Sequence, residues 1–146
     1  MDKDLLQKKL EMLANCIERI KSQNVTSLED LEASLDKQEI IILNLQRAVQ
    51  ICIDIGNHIL LDFSVAPTTM ADTFRFLAEK NVISKENADN LAKAVAFRNI
   101  AVHQYEILDN KVIFQIISGH LVDFTSFAAS ILKQFFTNKI PYSTRE

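Results

Sequence analysis

An all-α, up-and-down bundle of about five helices is the fold the sequence predicts, on three observations. Turn formers are scarce: the 146 residues include only two glycines and two prolines, too few for the tight turns of a sheet-rich fold. Apolar residues recur at three- and four-residue steps over long stretches, the period of an amphipathic helix. Serine or threonine stands ahead of several such stretches, where a hydroxyl can accept from the first free backbone N–H groups. With 48% hydrophobic and 24% charged residues, the chain has the material for one domain, residues 1–146, with its own core.

Taken in order, residues 2–22 place Leu5, Leu6, Leu10, Leu13, Cys16, Ile17 and Ile20 on one helical face. Thr26 and Glu29 have the spacing of a capping box for a short helical turn. From about Lys37 to Phe63 nothing breaks a helix before Gly56, and the apolar residues there, Ile40, Ile41, Leu43, Leu45, Val49, Cys52, Ile53 and Leu60, cover more than one face. This helix is expected to be central and shared with a second subunit, making the protein at least a homodimer. Its polar residues Arg47, Gln50, Asp54, Asn57 and His58 form a second stripe, read as a solvated face with a cleft lining as the alternative. A helix over about Thr69–Lys80 follows, then one opened by Ser84 as N-cap and running to the region of His103. "EILDNK" is turn chemistry. A single last helix is expected over about Lys111–Phe136, with Ile113, Ile117, Leu121, Phe124, Phe127, Ile131 and Phe135 forming a core stripe. Residues 137–146 read as a frayed tail.

Several function classes lose ground on composition. Cys16 and Cys52 sit inside apolar helical patterns without a Cys-x-x-Cys or Cys/His cluster, so they read as core residues and not as zinc ligands. Apolar runs such as "IIIL" fall short of the roughly 18–20 residues that span a bilayer, and the charged start "MDKDLLQKKL" lacks the apolar segment of a signal peptide. The expectation is a cytoplasmic protein. A net charge of −3 gives no global positive field, so contact with a nucleic acid would need a local basic patch.

The stretch "FRNIAVHQY", residues 97–105, concentrates the chemistry. Histidine gives or takes a proton at cellular pH, and arginine offers a planar fork matched to phosphate oxygens. Together they provide proton transfer and charge stabilisation for phosphodiester cleavage without a metal. Glu106 and Asp109 lie close by, but no second carboxylate or histidine stands at a ligand-forming spacing. On a straight helix Arg98 and His103 are separated by roughly 140°, so a site that uses both needs more than that helix. Either the chain leaves the helix near His103 in extended form, or a symmetry-related copy completes the site. A blander reading has the same groups capping the helix C-terminus.

Arg98-Asn99-x-x-x-His103-x-Tyr105 resembles the Arg-x4-His-x-Tyr motif of HepT-like toxins, the ribonuclease half of HEPN/MNT toxin–antitoxin pairs. The resemblance extends from about residue 35 to 135, through "LNLQRAVQICIDIGNHIL", "FRFLAEKNVIS", "FRNIAVHQYEILD" and an apolar final helix. It implies a dimeric HEPN-like bundle acting on RNA as a metal-independent endoribonuclease, with no cofactor. His103 would be the catalytic acid/base, Arg98 would stabilise the phosphate, and Asn99 would orient the site. Tyr105 would be the residue to which an MNT-type nucleotidyltransferase antitoxin can transfer AMP. Gln104 stands where a glycine is common in that family. The alternative is a non-catalytic, substrate-binding subunit of a small nucleotidyltransferase.

Overall fold

A computed structural model describes residues 1–136, all of whose regular structure is helical. The expected frayed tail, residues 137–146, lies outside the described residues. The order is α1 (Lys3–Lys21), α2 (Leu28–Glu32), α3 (Leu35–Leu61), α4 (Met70–Glu79), α5 (Lys85–His103), a 3-10 turn (Tyr105–Ile107), α6 (Asn110–Gly119) and α7 (Leu121–Phe135).

Side-chain caps open six of these helices, α1 to α6, with Ser84 among them as the sequence suggests. Asp2, Ser34, Thr69 and Ser84 accept from the backbone N–H of Leu5, Lys37, Asp72 and Asn87, each filling one of the four donors a helix N-terminus leaves free. The short helix α2 is capped one residue later than expected. Ser27, not Thr26, accepts from Asp30 N–H, and the Asp30 carboxylate returns to Thr26 N–H and Oγ1 at 3.1 and 2.6 Å. Asp30 is thus tied through its N–H to Ser27 and through its carboxylate to Thr26, and Glu29 takes no part.

Helix α3 is the axis of the bundle, packed by α1, α2, α4, α5 and α7. Its buried face includes Ile41, Leu45, Val49, Cys52, Ile55, Ile59 and Leu60, joined in one contiguous core by Leu6, Leu13, Phe74, Leu91 and Phe127 among others. Gly56 does not end the helix. It admits α4: a Cβ there would stand 2.6 Å from Thr73 Cγ2 and 2.9 Å from Leu77 Cδ1. Because five helices of the same chain cover α3, its broad apolar surface gives no reason for a second subunit, and that part of the sequence argument is withdrawn.

The last helix is two helices, not one. α6 and α7 meet at a 43° bend, where His120 leaves helical geometry with φ −124° and ψ 1°. Glycine at 119 is a poor helix former, and the bend lets Ile113 of α6 and Phe124, Phe127 and Ile131 of α7 all reach the core. The aromatic stripe is core, as expected, with Phe127 edge-on to Phe74 at a centroid distance of 6.0 Å. Among the described residues no single helix is long and apolar enough to cross a membrane.

Candidate functional site

Helix α5 carries the site because nothing between Ser84 and His103 disfavours a helix: there is no glycine or proline, and there are five alanines after residue 87. Asn87, Leu91, Val95 and Ala101 are buried, and Arg98 falls on this same stripe at three- and four-residue steps. A charged side chain is thereby sent toward the α3 surface, where a charge is rare without a partner.

The partner is Gln50. Arg98 Nη2 donates to Gln50 Oε1 at 3.0 Å, and Nη1 donates to Asn99 Oδ1 at 3.2 Å. Gln50 in turn donates through Nε2 to Asp54 Oδ1 at 2.9 Å, and Asp54 Oδ2 accepts from Lys9 Nζ at 3.3 Å. The carboxylate on one side of Gln50 and the guanidinium on the other leave one consistent orientation of the amide. A hydrogen-bonded line thus runs from α1 across α3 to α5 and fixes the arginine fork. Arg98 Nε is buried with no acceptor among the described residues.

His103 closes α5 and is exposed. The two other histidines are engaged: His58 Nε2 accepts from Asp2 N–H, and His120 Nδ1 meets Asp123 Oδ2 at 3.0 Å. The imidazole of His103 has no hydrogen bond among the described residues, so it is open to a ligand. Gln104 follows with φ −140° and ψ 48°, a negative φ that requires no glycine. Its N–H bonds Ile100 C=O at 2.8 Å, and Ile107 N–H bonds Gln104 C=O at 3.0 Å, closing the 3-10 turn that begins at Tyr105. The extended exit that would align His103 with Tyr105 is therefore not formed. Tyr105 is 43% exposed, two residues beyond the end of α5.

The capping interpretation of these residues fails at the two decisive positions. The fork of Arg98 goes to Gln50 and Asn99 and not to helix carbonyls, and the end of α5 is closed by backbone N–H groups. Within one chain Arg98 and Asn99 come together, whereas neither makes a hydrogen bond with His103 or Tyr105 among the described residues.

The polar stripe of α3 is a solvated face only in part: Arg47 and Asn57 are exposed, and Gln50, Asp54 and His58 are half-buried. Gln50 and Asp54 belong to the line that holds Arg98, Asn57 accepts from Thr73 Oγ1 at 2.7 Å, and His58 is held by Asp2. Sequence reasoning saw the stripe and underrated it, and it missed Lys9. The signal that joins them was a charged residue, Arg98, on the core-facing stripe of α5. Burial raises the thiol pKa of both cysteines, Cys52 most strongly, which suits inert core residues. Among the described residues no group of three or more His, Cys, Asp or Glu side chains is gathered as metal ligands would be.

Comparison with known proteins places the chain in a family. The Ribonuclease HepT-like family matches residues 13–131. The mRNA nuclease HepT of Shewanella oneidensis is 37% identical over 125 residues, 85% of this chain and 93% of that protein. The tRNA nuclease HepT of Aphanizomenon flos-aquae is 27% identical over 134 residues, 91% of each chain. The solved structure of a tri-AMPylated HEPN toxin of Shewanella oneidensis in complex with an MNT antitoxin superposes with a TM-score of 0.84 at 35% identity, covering 92% of this chain and all of that one. By the extent of these matches, the chain belongs to the Ribonuclease HepT-like family.

Proposed function

We propose that the protein is a metal-independent endoribonuclease, the toxin of a toxin–antitoxin pair, acting on RNA in the cytoplasm. The observation that carries the reading is the contrast inside one motif: the Arg98 fork is tied down by Gln50 and Asn99, while the imidazole of His103 has no partner among the described residues. A fixed cation suits charge that develops on phosphate oxygens, and an open imidazole suits proton transfer. In cleavage the ribose 2'-oxygen attacks phosphorus and loses its proton, and the 5'-oxygen leaves and gains one. His103 takes one of these roles, Arg98 faces the non-bridging oxygens, and Asn99 orients the fork.

A second copy supplies the other proton carrier, so the working unit is a homodimer. Support comes from the apolar side chains exposed around His103: Ile100 (36%), Val102 (39%), Ile107 (60%) and Val112 (44%). Such a surface favours a partner of the same kind on a two-fold axis. Light scattering at micromolar concentration is expected to give twice the mass of one chain, and a monomer would remove the composite site.

An MNT-type nucleotidyltransferase is the antitoxin in this reading. It transfers AMP from ATP to Tyr105: the phenol oxygen attacks the α-phosphorus, pyrophosphate leaves and the phenol proton is lost. The bulk and negative charge then occupy ground an RNA phosphate needs. Incubation of the purified protein with total RNA in EDTA, beside a His103→Ala variant, tests the core of the proposal. Cleavage by the first and not the second is the expected result. Cleavage by neither would favour a binding subunit of the nucleotidyltransferase.

A further inference from the structure

Four arginines lie among the described residues, and they divide cleanly. Arg75 pairs with Asp72 and Glu79, and Arg98 is held by Gln50 and Asn99. Among the described residues Arg19 and Arg47 have neither an ion pair nor a side-chain hydrogen bond, and both line the same groove between α1 and α3, with a volume of about 740 Å³. Gln50 lines that groove as well, so the side chain that fixes Arg98 is also part of the groove wall. Arg47 precedes Gln50 by three residues on α3, which makes them neighbours on the helix surface.

The remaining charges in the groove are Lys9 with Asp54, paired to each other at 3.3 Å, and Glu18. Without the paired groups, two guanidiniums stand against one carboxylate in a chain whose net charge is −3. The floor includes Met12, 46% exposed, and Ile51, apolar surface on which a base can lie. Unpaired guanidiniums are matched to phosphate, and a positively charged groove that tracks the backbone holds a single strand without reading its sequence.

We infer that the α1/α3 groove is the path of the single-stranded RNA as it approaches Arg98, with Arg47 and Arg19 on backbone phosphates away from the cleaved bond. The inference rests on the ribonuclease reading and adds to it the residues that hold the substrate. Glu18 opposes the strand, and its removal tightens binding.

The test uses the full chain. Binding of a labelled single-stranded RNA of mixed sequence to a His103→Ala protein is followed by fluorescence anisotropy over a range of salt concentrations. Arg47→Gln and Arg19→Gln are each expected to weaken binding roughly tenfold and to lower the slope of log affinity against log salt by about 0.7, the loss of one single-strand phosphate contact. Glu18→Gln is expected to strengthen binding, and Arg75→Gln on α4 to leave it unchanged. With His103 intact, the two groove arginine variants are expected to raise KM and keep kcat. Both arginines are exposed, so the substitutions leave the core alone, and circular dichroism checks this. If the native protein cleaves RNA while both groove variants keep its KM and salt slope, the groove inference falls and the ribonuclease reading stands. If the native protein neither binds nor cleaves RNA, both fall. If the variants lose the antitoxin and keep the RNA, the groove is a protein interface and the inference is overturned.

Discussion

Arg98 and Gln50, 48 positions apart in sequence, are joined by a 3.0 Å hydrogen bond from Nη2 to Oε1. Since Gln50 is itself held by Asp54, the bond sets where the guanidinium points. Replacing Gln50 by leucine keeps the volume and removes the acceptor. A hydrogen bond to a charged group is worth about 1.5–3 kcal/mol, so kcat for RNA cleavage is expected to fall roughly tenfold to a hundredfold with the helical content unchanged. An unchanged kcat would show that the arginine needs no such guide.

Tyr105 is expected to control the site without taking part in its chemistry. Beside an imidazole, a phenol is the poorer proton carrier at neutral pH. Tyr105→Phe keeps the ring and removes the oxygen that accepts AMP. The variant should cleave RNA nearly as well as the native protein and escape silencing when the nucleotidyltransferase is co-expressed. Inactivity equal to that of His103→Ala would make the hydroxyl catalytic, and continued silencing with covalent AMP would move the modification elsewhere.

Gly56 is expected to resist even alanine. On an open helix the change would gain about 1 kcal/mol. Here the new methyl meets Thr73 Cγ2 and Leu77 Cδ1, and Thr73 cannot swing away because its hydroxyl donates to Asn57. Overpacking of this kind costs about 1–3 kcal/mol. The melting temperature of Gly56→Ala should therefore drop by a few degrees, about 2–4 °C per kcal/mol for a chain of this size. A rise would mean that α4 yields.

Hydrogen bonds from the Thr26 side chain and backbone, outweighing some desolvation, hold the Asp30 carboxyl below the usual carboxylate range. A depressed native pKa contributes stability above the ordinary value and loses it as the pH falls through the native one. Thr26→Val is expected to move the Asp30 titration, followed by NMR, upward toward the ordinary value. No movement would place the cause outside the hydroxyl.

Much of the fold was legible because its signals are local. Helix period, the cap at Ser84 and the poverty of turn formers are properties of neighbouring residues. The bend at His120 was not read from the sequence, because the apolar period continues across it; Gly119 was the one local sign, and the demand for Ile113 and Phe127 to reach one core is three-dimensional. The motif residues Arg98, Asn99, His103 and Tyr105 could be named from their types and spacing. Gln50, Asp54 and Lys9 could not be assigned to Arg98, since the contacts span 45 and 48 positions and depend on how three helices pack.

The unanswered Nε of Arg98 has a consequence beyond the site. A buried donor without an acceptor costs about 1–3 kcal/mol, and an apolar side chain at position 98 would relieve that cost while abolishing the guanidinium. The same change gives up the bonds from the fork to Gln50 and Asn99, an effect of like size and opposite sign. Stability is therefore nearly indifferent to the arginine, and its persistence across generations depends on natural selection for what the guanidinium does.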